Sequence, residues 1–176
     1  HEGAHSDADG ALLYAARPGI WTPPPSVRAA GDNIYLPYKG ASGCRSGGLR
    51  AGTREFGNFI RSSFPGVYAY GGYNCRKIAG SNSWSVHSTG RALDLFIPVS
   101  GGQADNDLGD PVANWLIQNA AVVGIRYIVW DRGGWGAHRA RGNKHRYYGG
   151  DQPHHDHIHL ELTEAAAAKQ TPWFGG

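Results

Sequence analysis

The stretch Pro153-His154-His155-Asp156-His157-Ile158-His159-Leu160-Glu161-Leu162 decides how this chain is read. Four of its nine histidines fall between positions 154 and 159. Ile158, Leu160 and Leu162 alternate with His157, His159 and Glu161. Successive strand residues point to opposite faces, so the spacing predicts a strand with one apolar face on a core and one face of nitrogen and oxygen donors. Two histidines on one face beside acids make part of a metal site, and its other ligands must lie elsewhere.

The segment Ser85-Val86-His87-Ser88-Thr89-Gly90-Arg91-Ala92-Leu93-Asp94-Leu95 supplies candidates. Asp94 interrupts a run that is otherwise apolar, where a carboxylate is costly unless it is paired or bound to a cation. Gly90 permits a sharp turn that brings His87 over Asp94. His87, Asp94 and one of the late histidines would suit a catalytic Zn²⁺ with an open fourth position. The alternatives are an Asp94 paired with Arg91 or Arg76, a His87 that caps a turn, and a solvated histidine cluster.

The rest of the composition sets bounds. At 176 residues, with 40% hydrophobic residues, the chain is expected to form one domain with a real core. Gly 27 and Pro 10, with 18% charged residues, suggest ordered loops rather than a helical bundle. No apolar run approaches the roughly 20 residues that span a bilayer, so membrane insertion is not expected. The net charge is +3 and the pI about 9.0. Apart from the stretch Arg132 to Arg146 the basic residues are scattered, so no nucleic-acid stripe is indicated. A basic exported protein would be drawn to anionic polymers such as a cell wall. Cys44 and Cys75 lack zinc-knuckle spacing. In an exported chain they are expected to form a disulfide worth ~3–4 kcal/mol by the chain-entropy argument, with two buried thiols as the alternative. The chain begins at His1 and has no Met, which reads as a processed or recombinant product.

Residues 1–30 read as an N-terminal arm with one short helix, packed on a domain spanning 31–176. Asn33 to Tyr38 reads as a strand, and Thr53 as the cap of a helix to Phe64. Val67 to Asn74, Arg91 to Pro98 and Ile125 to Trp130 read as strands. Asp110-Pro111 reads as a helix start, with Gly124 as the C-cap. Asp131 to Gly150 reads as a long loop forming a binding wall, and Trp130, Trp135, Tyr147 and Tyr148 either line a cleft or pack in the core. Thr163 caps a last Ala-rich helix. His138 and His145 read as surface residues, and His1 and His5 as exposed. Without βαβ regularity the expected fold class is α+β, a mainly antiparallel central sheet flanked by helices.

The pair Ser85-x-His87-x-x-Gly90-x-Ala92-x-Asp94 and Asp156-His157-x-His159 resembles the LAS-type zinc peptidases. This group includes D-Ala-D-Ala carboxypeptidases and dipeptidases, bacteriophage L-alanyl-D-glutamate endopeptidases, murein endopeptidases and the Hedgehog zinc site. The resemblance covers about residues 66–162 and implies a fold of that kind. It implies zinc ligands His87, Asp94 and His159, with Asp156 as general base and His157 assisting. Arg76 matches the arginine on the strand before the first motif, which polarises the scissile carbonyl. The Van-type dipeptidases have Glu where this chain has Asp156, so the shorter acid must approach more closely. Glu161, on the same strand face, is expected to partner His159, with a solvated acid as the alternative. The implied activity is hydrolysis of peptidoglycan stem peptides, as carboxypeptidase or endopeptidase, by a secreted or periplasmic monomer. A zinc-containing binding module without catalysis is the alternative.

Overall fold

A computed structural model describes residues 20–150 and 152–175. His1, His5 and most of the expected arm lie outside the described residues. The chain runs through α1 (Pro25–Gly31), α2 (Ala51–Ser63), β1 (Ala69–Gly71), a 3₁₀ turn (Val86–Thr89), β2 (Ala92–Phe96), β3 (Val99–Ser100) and β4 (Gln103–Ala104). It continues through α3 (Asn106–Gln118), α4 (Ala120–Val123), β5 (Ile125–Trp130), β6 (Gly133–Gly136), β7 (His145–Tyr147), β8 (His157–Leu162), α5 (Glu164–Ala167) and a 3₁₀ turn (Pro172–Phe174). Six strands form one antiparallel sheet in the order β1-β2-β8-β5-β6-β7, and β3 and β4 form a separate hairpin. The class is α+β, as the sequence predicts.

The last strand, β8, sits in the middle of this sheet, and its period of two is realised there. Ile158, Leu160 and Leu162 are fully buried. Leu160 lies opposite Leu93 of β2 and Ile128 of β5, which itself lies opposite Trp135. This layer packs with Phe56 and Ile60 of α2 and with Val112, Leu116 and Ile117 of α3 in a single core. The opposite face carries His157, His159, Glu161 and Asp94. Trp130 and Trp135 belong to the core and do not wall a cleft. Among the described residues, no helix is long and apolar enough to cross a membrane.

Several local expectations give way to tertiary demands. Asn33 to Tyr38 forms no strand; Leu36 makes an isolated bond to the Ala137 carbonyl. Only Ala69–Gly71 of the expected Val67–Asn74 strand pairs. Helix α2 starts before Thr53, with Arg50 as an N-cap that lends no side chain, and Thr53 is buried. Gly52 explains this start: a Cβ there would lie 2.0 Å from the Ala166 carbonyl, so α2 begins where only glycine can pass α5. Helix α3 starts at Asn106 with Asp105 capping the Leu108 amide, so Pro111 lies inside the helix. Asp110 accepts instead from Asn106 at 3.0 Å and from the Trp130 indole at 2.8 Å. The single expected helix breaks at Asn119, and Gly124, at φ 94°, ends α4 as its C-cap. The Asp131 to Gly150 tract is no loop; it holds β6 and β7. Glycines at 133, 134 and 136 carry no strand pattern, but Gly133 faces the His145 ring and the Trp21 carbonyl, where a Cβ would lie 2.6 and 2.8 Å from its neighbours. His145 is therefore no surface residue. It meets the Trp21 ring edge-on at 5.0 Å, and burial pushes it down to about 4.

Asp131 is fully buried, with Oδ1 unpartnered and Oδ2 accepting from Asn106 at 2.7 Å. Burial, helped by the Asp110 charge and opposed by the Asn106 bond, raises its carboxyl from 3.8 to about 6. Between those values the folded chain holds a proton that the unfolded chain has lost, so this group's contribution to stability falls as pH rises and levels off above about 6. The rise corresponds to about 3 kcal/mol. Urea denaturation at a series of pH values should show that loss in the wild-type minus Asp131→Asn difference curve. A flat difference between pH 4 and 7 would mean that Asp131 is ionised throughout.

Candidate metal centre

Each element brings its residue for a local reason. Ser85 Oγ accepts from the His87 amide at 3.2 Å and starts the 3₁₀ turn. Gly90 ends it at φ 75°, a conformation that side-chain-bearing residues rarely adopt. His87 is nearly buried, and its Nδ1 meets the Gly72 carbonyl. That bond fixes Nδ1 as the protonated nitrogen and leaves Nε2 as the free donor of a lone pair. The chain then enters β2, where Asp94 lies directly opposite His159 of β8. Residues directly opposite in an antiparallel pair share a face.

Three ring nitrogens converge on one carboxylate oxygen. Asp94 Oδ1 lies 3.2 Å from His87 Nε2, 3.5 Å from His159 Nδ1 and 3.8 Å from His157 Nε2. It is buried, yet none of these nitrogens is aligned for a hydrogen bond to it. A buried carboxylate oxygen faced by three imidazole nitrogens has the donor chemistry of a cation site. One ligand atom each from His87, Asp94 and His159 lies within 4.8 Å of the others. Glu161 accepts from His159 Nε2 at 2.8 Å and is itself buried, so it is a buried partner that leaves His159 Nδ1 toward Asp94.

The electrostatics agree. Burial alone would raise Asp94, but His159 and His87 beside it hold it well below the usual carboxylate range. Burial opposes charge on His159, yet Asp94 and Glu161 on either side keep it up at about 9. The two carboxylates therefore stabilise positive charge at the centre of the cluster, and a divalent cation binding there displaces a proton. Two nitrogens and a carboxylate suit a borderline metal such as zinc, but the donor set does not by itself select one metal.

The remaining expected residues divide. Asp156 Oδ1 and His157 Nδ1 are 2.8 Å apart, which turns the other nitrogen of His157 toward Asp94. Arg76 lies in the loop after β1 rather than on a strand, is exposed, and reaches the neighbouring Lys77 carbonyl at 3.5 Å. Two residues that sequence reasoning left aside complete the surroundings. His154, at φ 58°, packs its ring 4.6 Å from His157 and 5.2 Å from Tyr148. Burial, and then the neighbouring His157 ring, pushes it down to about 4. Tyr127 meets His159 edge-on at 6.4 Å; its place opposite Glu161 in the sheet could have been read only with the register in hand.

The fold and site thus define an α+β protein with a His-Asp-His group, able to hold a cation, on the open face of its sheet. The family model described as VldE, C-terminal domain, matches residues 45–158, and the chain belongs to that family. The match takes in Arg76, His87, Asp94, Asp156 and His157 and ends just before His159. No curated protein and no solved structure matches the chain.

His87→Ala, Asp94→Asn and His159→Ala should each abolish binding of one divalent ion per chain, read by elemental analysis and by loss of the metal-dependent rise in Tm. Glu161→Gln should keep the ion but weaken it about 10–100-fold, the usual cost of removing such a partner. Binding that survives all three ligand substitutions would place the ion elsewhere.

Proposed function

We propose that this protein is a zinc-dependent peptidase that cleaves amide bonds in the stem peptides of bacterial peptidoglycan. The observation that carries the reading is the meeting of the two sequence motifs: His87 and Asp94 of the first and His159 of the second place their ligand atoms within 4.8 Å of one another. The resemblance of those motifs to the LAS-type peptidases supplies the substrate class. His87 Nε2, the Asp94 carboxylate and His159 Nδ1 would hold the zinc, which supplies a Lewis acid able to polarise a carbonyl and acidify water.

The chain's own residues do the rest. Gly72 and Glu161 lock the tautomers and ring planes of His87 and His159, so the donors are in place before substrate arrives. His157 stands on the same strand face, with its Nε2 3.8 Å from the Asp94 carboxylate, and Asp156, in the bend just before β8, bonds its other nitrogen; the pair is the proton carrier of this reading. It takes the proton from the attacking water and returns it to the leaving amine. Asp156 is well exposed and can accept or deliver that proton without crossing the core. Arg76 would stabilise the developing oxyanion once its guanidinium turns from Lys77 to the substrate. The exposed Cys44–Cys75 disulfide fits an oxidising compartment, consistent with action on a wall outside the cytoplasm.

The outward position of Arg76 favours a second reading, a binding module that keeps the ion but has lost catalysis. Zinc-loaded protein incubated with purified muropeptides separates the two. The peptidase reading expects new amino groups and products heavier by one water per cleaved bond. Asp156→Ala should keep the zinc and lower kcat by about 10²–10⁴-fold. Fully loaded protein that leaves every muropeptide intact would establish the binding module instead.

A further inference from the structure

The Cys44–Cys75 disulfide crosslinks the two loop segments between which the 86–89 turn is held. On one side, the residues flanking Cys44 grip Ser88: its carbonyl accepts from the Arg45 amide at 3.0 Å, and its hydroxyl hydrogen is shared between the Gly43 carbonyl at 2.8 Å and the Ser85 carbonyl at 2.7 Å. On the other side, the residues around Cys75 grip His87 and Ser85. The Asn74 amide donates to the His87 carbonyl at 3.2 Å, and the Ser85 amide donates to the Arg76 carbonyl at 2.9 Å. The Gly72 carbonyl, three residues before Cys75, meets the His87 ring. A direct bond between the segments, from the Tyr73 hydroxyl to the Arg45 carbonyl at 2.7 Å, runs beside the disulfide.

Residues 43–48 lie outside any strand or helix, and residues 72–76 run on irregularly from the end of β1, so past Gly72 neither segment has a ladder of its own. Both cysteines are exposed, so the crosslink adds little to the apolar core. What it fixes is the spacing of the two walls of the His87 turn, with its Cα atoms 5.4 Å apart. Of the three candidate ligands, only His87 hangs on this loop-borne frame; Asp94 and His159 are held by the sheet.

We propose that the Cys44–Cys75 disulfide is a positioning element of the metal centre, which keeps the Gly72 carbonyl on His87 and so sets the affinity of the site for its ion. The inference rests on the reading of His87, Asp94 and His159 as a metal centre, and not on any hydrolytic activity. Reduction opens the frame. A trialkylphosphine breaks the sulfur–sulfur bond; each sulfur gains one hydrogen from water, and the water oxygen leaves on the phosphine as its oxide. The loosened loops then release the Gly72 carbonyl, and His87 loses both its fixed tautomer and its fixed plane.

The test is zinc affinity by chelator competition, on the oxidised protein and on Cys44→Ser/Cys75→Ser, which also removes any thiol that could itself bind zinc. Oxidised wild-type protein reduced with phosphine and then alkylated serves as a second crosslink-free form should the variant not fold. The expected result is a Kd about 10–100-fold weaker without the crosslink, the size typical of losing a group that orients a metal ligand. The Co²⁺-substituted forms should differ in their visible bands, which report ligand geometry. A crosslink that served stability alone would lower Tm but leave the zinc Kd and the Co²⁺ spectrum unchanged, and that result overturns the proposal. Oxidised protein that binds no zinc overturns the metal centre and this inference together. A redox-dependent Kd in a protein that cleaves no peptide upholds the inference while the peptidase reading falls.

Discussion

The pairing of Asp94 with His159 across β2 and β8 is the constraint on which the molecule turns. It sets a carboxylate and an imidazole face to face on one side of two strands whose other side, Leu93, Leu95, Ile158 and Leu160, is fully buried. A slip of one residue would carry Asp94 into the core and Leu95 onto the open face. Leu93, Leu95, Ile158 and Leu160 forbid that slip, since each would lose its burial. The core thus fixes the site: apolar packing on one face sets the positions of the charged groups on the other to the precision of a hydrogen-bonded ladder.

Around that pair the protein uses partners that hold the donors without occupying them. Glu161 takes one nitrogen of His159, Gly72 takes one nitrogen of His87, and Asp156 takes one nitrogen of His157. In each ring the remaining nitrogen turns toward Asp94. Repetition of the device on three histidines is hard to explain as ordinary core satisfaction, where both nitrogens would be used.

What could be read in advance follows from where the information lay. β8 and β2 were legible because an alternating pattern and a charge inside an apolar run are properties of single segments. The role of Glu161 was legible because it shares a strand face with His159. The start of α3 was not: Asp110-Pro111 is a strong local signal, but Asp110 is drawn to Trp130 and Asn106, and Asp105 takes the cap. β6 was hidden because glycines carry no periodicity; they are there to let His145 and Trp21 approach. The part played by Gly72 had no signature at all, because a backbone carbonyl is the same in every residue. His154 was visible as a histidine, but its packing between Tyr148 and His157 depends on a left-handed turn.

The place of β8 in the strand order has a consequence for how the site comes into being. The final strand is inserted between β2 and β5 and not added at an edge. Until it docks, the sheet lies in two halves, β1-β2 and β5-β6-β7, and the first two ligands face an empty slot. Such long-range closure is a late event in folding, because the loop entropy must be met before the contacts form. The chain brings His159 against Asp94 only when β8 closes the sheet. Completion of the core and the meeting of Asp94 with His159 are therefore one step.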